Sequence, residues 1–155
     1  MKPIFIGGCG RSGTTMLGDI LGRIEGFLTT PESHFKVNAY YAAMNGDGHV
    51  DINKAVKVIL GSYQSLIWGI NHSDNDHAQL NSCGSYVELI NNIVKSYGEG
   101  FSKKCYTHWV DHTPSNLSSA LLLNKLYPEA KFIHIVRDGR AVANSVIPLD
   151  WGPNT

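Results

Sequence analysis

Residues 3 to 24 constrain the fold of this chain more than any other stretch. Ile4 to Ile6 is a short apolar run that reads as a buried strand, and a glycine-rich turn follows it, Gly7-Gly8-Cys9-Gly10-Arg11-Ser12-Gly13. From Thr14 onward, Leu17, Leu21 and Ile24 recur at helical spacing. Strand, glycine turn and helix in that order make a phosphate cradle: successive N–H groups of the turn point inward, and the helix start adds the positive end of its dipole. Gly8 and Gly13 have the spacing of the nucleoside triphosphate loop G-x-x-x-x-G-K-[ST], but Thr14 stands where the lysine that reaches the β- and γ-phosphates belongs. The cation sits inside the loop instead, at Arg11, whose planar fork suits a tetrahedral oxyanion. That exchange argues against an ATPase and for a differently charged donor.

A second motif follows another strand-like run: Lys131 to Val136, then Arg137-Asp138-Gly139-Arg140-Ala141, with Ser145 eight residues after Arg137. Together with Arg11-Ser12-Gly13-Thr14-Thr15, it resembles the sulfotransferase family, most closely its tyrosylprotein and bacterial branches. The resemblance implies a P-loop NTPase-like α/β fold and 3′-phosphoadenosine 5′-phosphosulfate (PAPS) as the sulfuryl donor. It assigns the phosphosulfate to Gly10, Arg11, Ser12, Gly13, Thr14 and Thr15, the 3′-phosphate to Arg137 and Ser145, and requires no metal.

Two further residues acquire roles only through the resemblance. Several branches carry their general base in a P-E-[ST]-like segment soon after the donor loop, and Pro31-Glu32-Ser33 places Glu32 there. Read from the residues alone, Glu32 serves equally as a first-turn helix glutamate complementing the dipole. The junction Asp111-His112-Thr113-Pro114 resembles the family's D-K-T-P, with His112 in place of the lysine that assists charge on the transferring group. Histidine is only partly charged near neutrality, so a catalytic His112 and a structural one stay open side by side. A P-loop kinase or NTPase lacking its lysine, and a non-catalytic nucleotide-binding remnant, are the alternatives to an active sulfotransferase. The resemblance implies transfer of the sulfuryl group from PAPS to an acceptor hydroxyl or amine on a small molecule, glycan or peptide, and nothing in the chain selects among them.

The chain has 155 residues, 43% of them hydrophobic and 17% charged, which suits a single globular domain with a sizeable core. Thirteen basic residues balance thirteen acidic ones, so there is no electrostatic case for nucleic acid or an anionic membrane as partner. Cys9, Cys83 and Cys105 are odd in number and widely spaced, the pattern of free thiols in a reducing compartment. The chain enters its first strand without a signal-like or membrane-spanning segment, so the expectation is a cytoplasmic protein, in which the glycosylation-like Asn71-His72-Ser73 and Asn116-Leu117-Ser118 are chance matches.

Between the two donor motifs, the sequence predicts a helical insertion over residues 45–100. Asp51 caps a helix with Val56, Ile59, Leu60, Tyr63 and Ile67 on one apolar face. A polar stretch from Asn71 to Ser85 reads as a solvated loop, its His72, Asp74, Asp76 and His77 fitting no zinc spacing. Ser85 to Glu88 has the form of a capping box, opening a helix lined by Tyr86, Ile90, Ile93 and Tyr97 that stops at Gly98. Cys105 to Val110 reads as a strand, and Thr113-Pro114 starts a helix through Leu117, Leu121, Leu122 and Leu126. Strands alternating with helices predict a three-layer α/β/α fold on a parallel sheet, with Arg11, His112 and Arg137 delivered to one edge. Family domains continue beyond the helix that carries Ser145, so a chain of this length is expected to be a fragment truncated at its C-terminus.

Overall fold

A computed structural model describes residues 1–70, 74–100 and 105–150, of 74–77 the backbone only. Strand β1 (Lys2–Gly8) leads through the glycine turn into α1 (Thr14–Gly22), then β2 (Phe27–Thr30). Five helices come next: α2 (Phe35–Ala43), α3 (Ile52–Leu60), α4 (Tyr63–Ile67), α5 (Asp74–Asn81) and α6 (Tyr86–Gly100). Strand β3 (His108–Asp111), a 3-10 turn (Pro114–Asn116), α7 (Ala120–Leu126), β4 (Lys131–Ile135) and α8 (Gly139–Val146) complete the order. The strands form one parallel sheet in the order β2-β3-β1-β4, so the cradle strand is internal and β4 is an edge.

Alternation along the strands builds two cores. Phe5, Leu28 and Trp109 face one way, into a large cluster with Ala39, Ile59, Leu89, Val94 and Leu123 from the helices of that side. Ile4, Ile6 and Val110 face the other way, against Leu17 and Leu21 of α1. The molecule is therefore a three-layer α/β fold. Helix α1 lies close to the sheet because its inner face carries glycine: a Cβ on Gly18 would stand 2.8 Å from the ring of His112. The carbonyl of Gly18 accepts a hydrogen bond from Thr29 Oγ1 at 2.6 Å, which pins α1 to β2.

Several sequence expectations change. Phe27–Thr30 is a fourth strand, too short for periodicity to reveal, paired along its length with β3. The helix expected to run from its cap at Asp51 through Ile67 breaks at Gly61-Ser62 into α3 and α4, and Tyr63 and Ile67 are exposed rather than core. Asp51 does cap α3, accepting from the Lys54 amide at 3.0 Å. The loop expected before Ser85 contains α5; His72 and the side chains of Asp74, Asp76 and His77 lie outside the described residues, as does Asn71-His72-Ser73. Helix α6 runs through Gly98 to Gly100, since Gly98 is a packing position against Tyr106 and Leu28 rather than a stop. Half of its capping box forms: Ser85 Oγ accepts from the Glu88 amide, while the Glu88 carboxylate accepts from the Gly84 amide at 2.8 Å, one residue before the expected partner. The helix expected from Pro114 is a 3-10 turn followed by α7, which buries Leu123 while Leu117 and Leu121 face solvent. Among the described residues, no helix is long and apolar enough to cross a membrane.

Candidate active site

In a parallel sheet with crossover helices, ligand sites form beyond the carboxyl ends of the strands. Gly8, Thr30, Asp111 and Ile135 end their strands on that side, and the loops leaving these four residues shape the site. After β1 the chain turns on the Ser12 amide, which donates to the Cys9 carbonyl at 3.2 Å. Arg11 has φ 65° and Gly13 φ 101°. Gly13 takes that left-handed backbone without strain, whereas Arg11 does so at the cost of a crowded Cβ. A strained non-glycine residue persists only where its surroundings hold it. Here Arg137 Nη1 donates to the Arg11 carbonyl at 2.7 Å, and Arg11 Nε donates to Ser145 Oγ at 3.1 Å. The two donor motifs thus meet through Arg11.

Helix α1 begins at Thr14 with Gly13 as its N-cap and no capping side chain, and its first turn has no acidic residue. The N–H groups of that turn are oriented toward the cleft with the dipole's positive end, an arrangement suited to an anion. A cleft of about 400 Å³ lies there, lined by Gly10, Arg11, Gly13, Thr14, Thr15, Glu32, Pro114, Arg137 and Ser145. That volume lies in the range of small-molecule sites.

The segment after β2 presents Glu32 by alternation. Ser33 is buried: its amide donates to Thr113 Oγ1 at 2.8 Å and its hydroxyl donates to Asp111 Oδ2. With Ser33 pulled inward, its neighbours Glu32 and His34 turn to the other side, and His34 Nε2 lies 2.9 Å from Glu32 Oε2. The Glu32 carbonyl accepts from the indole N–H of Trp68 at 3.2 Å.

Beneath this segment lies a buried polar clasp. Lys36 Nζ sits 2.8 Å from Asp111 Oδ2 and donates to Ser33 Oγ at 3.0 Å and Asn116 Oδ1 at 2.6 Å. Asn116 Nδ2 donates to the carbonyls of Ile6 at 3.1 Å and Asp111 at 3.0 Å, so β1, β3 and the Glu32 segment are tied at one point. Burial by itself would raise the pKa of Asp111. The Lys36 ammonium and the hydrogen bonds from Lys36, Ser33 and Thr113 outweigh it and hold the carboxyl well below the usual carboxylate range. Lys36 is therefore committed to the clasp.

The cleft gathers every residue singled out from sequence except Ser12 and His112. Ser12 is buried, its hydroxyl without a protein partner among the described residues. His112 is buried with its ring against Gly18 of α1, and its Nδ1 likewise has no partner there. Pro114, two residues on, lines the cleft in its stead. His34 carries no signal in the sequence, because its approach to Glu32 depends on the turn into α2, where its own backbone is already helical. Lys36 and Asn116 carried no signal of burial.

A model of the sulfotransferase family matches residues 3–153, which spans both donor motifs and the segments between them. The chain belongs to that family. Among similar curated proteins is protein-tyrosine sulfotransferase A of Caenorhabditis elegans, 26% identical over 93% of this chain and 32% of the relative. Protein-tyrosine sulfotransferase 1 of Danio rerio is 28% identical over 95% of this chain and 36% of its own length. The human protein of the same name is 28% identical over 95% of this chain and 34% of its own. This sulfotransferase chain therefore spans about a third of the length of the curated relatives it matches.

Proposed function

We propose that the chain binds PAPS in the cleft and transfers its sulfuryl group to an acceptor hydroxyl, with peptidyl tyrosine as the first acceptor class to test. The observation that carries this reading is the pair of hydrogen bonds through Arg11, which bring the two donor motifs to one cleft that Glu32 also lines. The relatives' names support the acceptor class.

In this reading the amides of Gly10 to Thr15 and the hydroxyls of Thr14 and Thr15 hold the 5′-phosphosulfate, with Arg11 supplying charge. Arg137 and Ser145 take the 3′-phosphate. The acceptor oxygen attacks sulfur in line: its bond to sulfur forms as the bond from sulfur to the 5′-phosphate oxygen breaks, its proton passes to the Glu32 carboxylate, and 3′,5′-ADP leaves. Positioning and charge stabilisation do most of such work, as in phosphoryl transfer. His112, packed on Gly18, fits the structural role better than the catalytic one.

Calorimetry with 3′,5′-ADP, 5′-AMP and ATP tests the donor. The expected order has 3′,5′-ADP tightest, and equal or absent binding of all three overturns the proposal. Turnover is then measured with PAPS and a tyrosine-containing peptide. Affinity for 3′,5′-ADP with no sulfated product, there or across small-molecule and glycan hydroxyls, makes the chain a donor-binding remnant.

A further inference from the structure

We infer that His34 is a positioning residue for Glu32, an inference that rests on the proposed role of Glu32 as base. A carboxylate on a flexible stem samples many rotamers, and a base is effective only when one oxygen stays within hydrogen-bond reach of the acceptor proton. The Glu32 side chain is 38% exposed, so packing alone does not fix it. Its backbone is held by the Trp68 indole, and its carboxylate meets the His34 ring at 2.9 Å. An ionised carboxylate only accepts, so Nε2 is the donor and carries the imidazole proton. One oxygen, Oε2, is thereby engaged, and the other, Oε1, is left for the acceptor hydroxyl.

The ring is itself placed by the fold. His34 occupies the N-cap position of α2 but makes no side-chain capping bond, so its imidazole is not committed to the helix end. Ser33, anchored to Asp111 and Thr113, sets the direction of its neighbours on both sides. The clasp of Lys36, Asp111 and Asn116 therefore controls the Glu32–His34 pair through a single buried serine, while Glu32 lines the cleft beside Gly10, Arg11, Gly13, Thr14 and Thr15. His34 does not line that cleft, so it acts on the base rather than on the donor.

The test uses the full chain with PAPS and a tyrosine-containing peptide. His34→Ala is expected to lower kcat by roughly tenfold to a hundredfold, the scale of a slightly misplaced reacting group, with the KM for PAPS and the affinity for 3′,5′-ADP unchanged. His34→Gln, whose amide N–H reaches where Nε2 stands, is expected to recover most of the loss. A parental kcat in His34→Ala, or a glutamine variant no better than alanine, overturns the inference. A parent that binds 3′,5′-ADP yet sulfates no acceptor removes the enzyme reading, and a readout independent of turnover then decides the pairing. ¹H–¹⁵N spectra of the imidazole are expected to show an Nε2–H proton shifted downfield and held against solvent exchange in the parent, and neither property in Glu32→Ala. An Nε2–H signal unchanged in Glu32→Ala overturns the pairing whatever the turnover.

Discussion

The two donor motifs are built in opposite ways. The first, from β1 through α1, sits inside the sheet: Phe5 and Ile6 are buried on opposite faces, and α1 is drawn onto β2 at Gly18. The second, from β4 through α8, lies at the sheet's edge, where Val136 is 81% exposed and none of the α8 residues is buried. Its polar ties are short-range or reach back to the first motif: Asp138 caps α8 by accepting from the Arg140 amide, Arg137 holds the Arg11 carbonyl, and Ser145 holds the Arg11 guanidinium. The first motif is thus buried on both faces, whereas the second packs only through Phe132, Ile133 and Ile135 of β4 and is joined to the first at its loop and helix by hydrogen bonds.

The largest effect that would break this contrast lies under the first motif. Asp111→Ala leaves Lys36 buried without its partner and is expected to cost about 3–5 kcal/mol in chemical denaturation. A loss below about 1 kcal/mol would mean that the clasp does not hold β1 and β3 together. The same carboxylate sets an acid limb. Its folded pKa is depressed, so its stabilisation is present above the unfolded value near 3.8 and is lost as pH falls through the lower folded value. Denaturation below pH ~4 should therefore lose stability with Asp111 present, and Asp111→Asn should lack that component.

Next in size is the effect of Arg11→Ala on chemistry, expected to cost about 2–4 kcal/mol of transition-state stabilisation in single-turnover sulfation, the loss typical of one oxyanion donor. Near-parental rates would remove Arg11 from the donor site. Arg137→Ala sharpens the comparison. The resemblance alone points to selective weakening of 3′,5′-ADP, whereas the bond from Arg137 to the Arg11 carbonyl predicts that 5′-AMP weakens as well, though less. Roughly 1.5–3 kcal/mol for 3′,5′-ADP is the scale of a charged hydrogen bond. Unchanged 5′-AMP binding in calorimetry would uncouple the two motifs.

The smallest effects compare two glycines. Gly18→Ala places a methyl group 2.8 Å from the buried His112 ring and is expected to destabilise by about 1–2 kcal/mol despite the better helix propensity of alanine. Gly139→Ala, in the first turn of α8 with nothing within 4 Å of the new methyl group, is expected to be neutral or to stabilise by up to about 1 kcal/mol. Equal losses at the two sites would contradict the contrast between a packed motif and an open one.

What was legible in the sequence is what local chemistry controls. A glycine turn between an apolar strand and a helix has few conformations other than an anion cradle, so residues 3 to 24 announced β1, the loop and α1. The strand and helix around Arg137 were legible from the same kind of signal, as were the caps at Asp51 and Ser85. Tertiary structure decided the rest. Phe27–Thr30 became a strand because β3 offers it a partner, not because four residues carry a periodicity. Lys36 became a buried cation because Asp111, far along the chain, meets it between β1 and β3, where its sequence neighbours suggest only a surface lysine. His112 turned from the cleft to α1 because Gly18 leaves room for its ring, and His34 came to Glu32 because Ser33 is drawn into the clasp. Side-chain direction at a strand end depends on which neighbour offers space and a partner, and that information is spread over segments far apart in the chain.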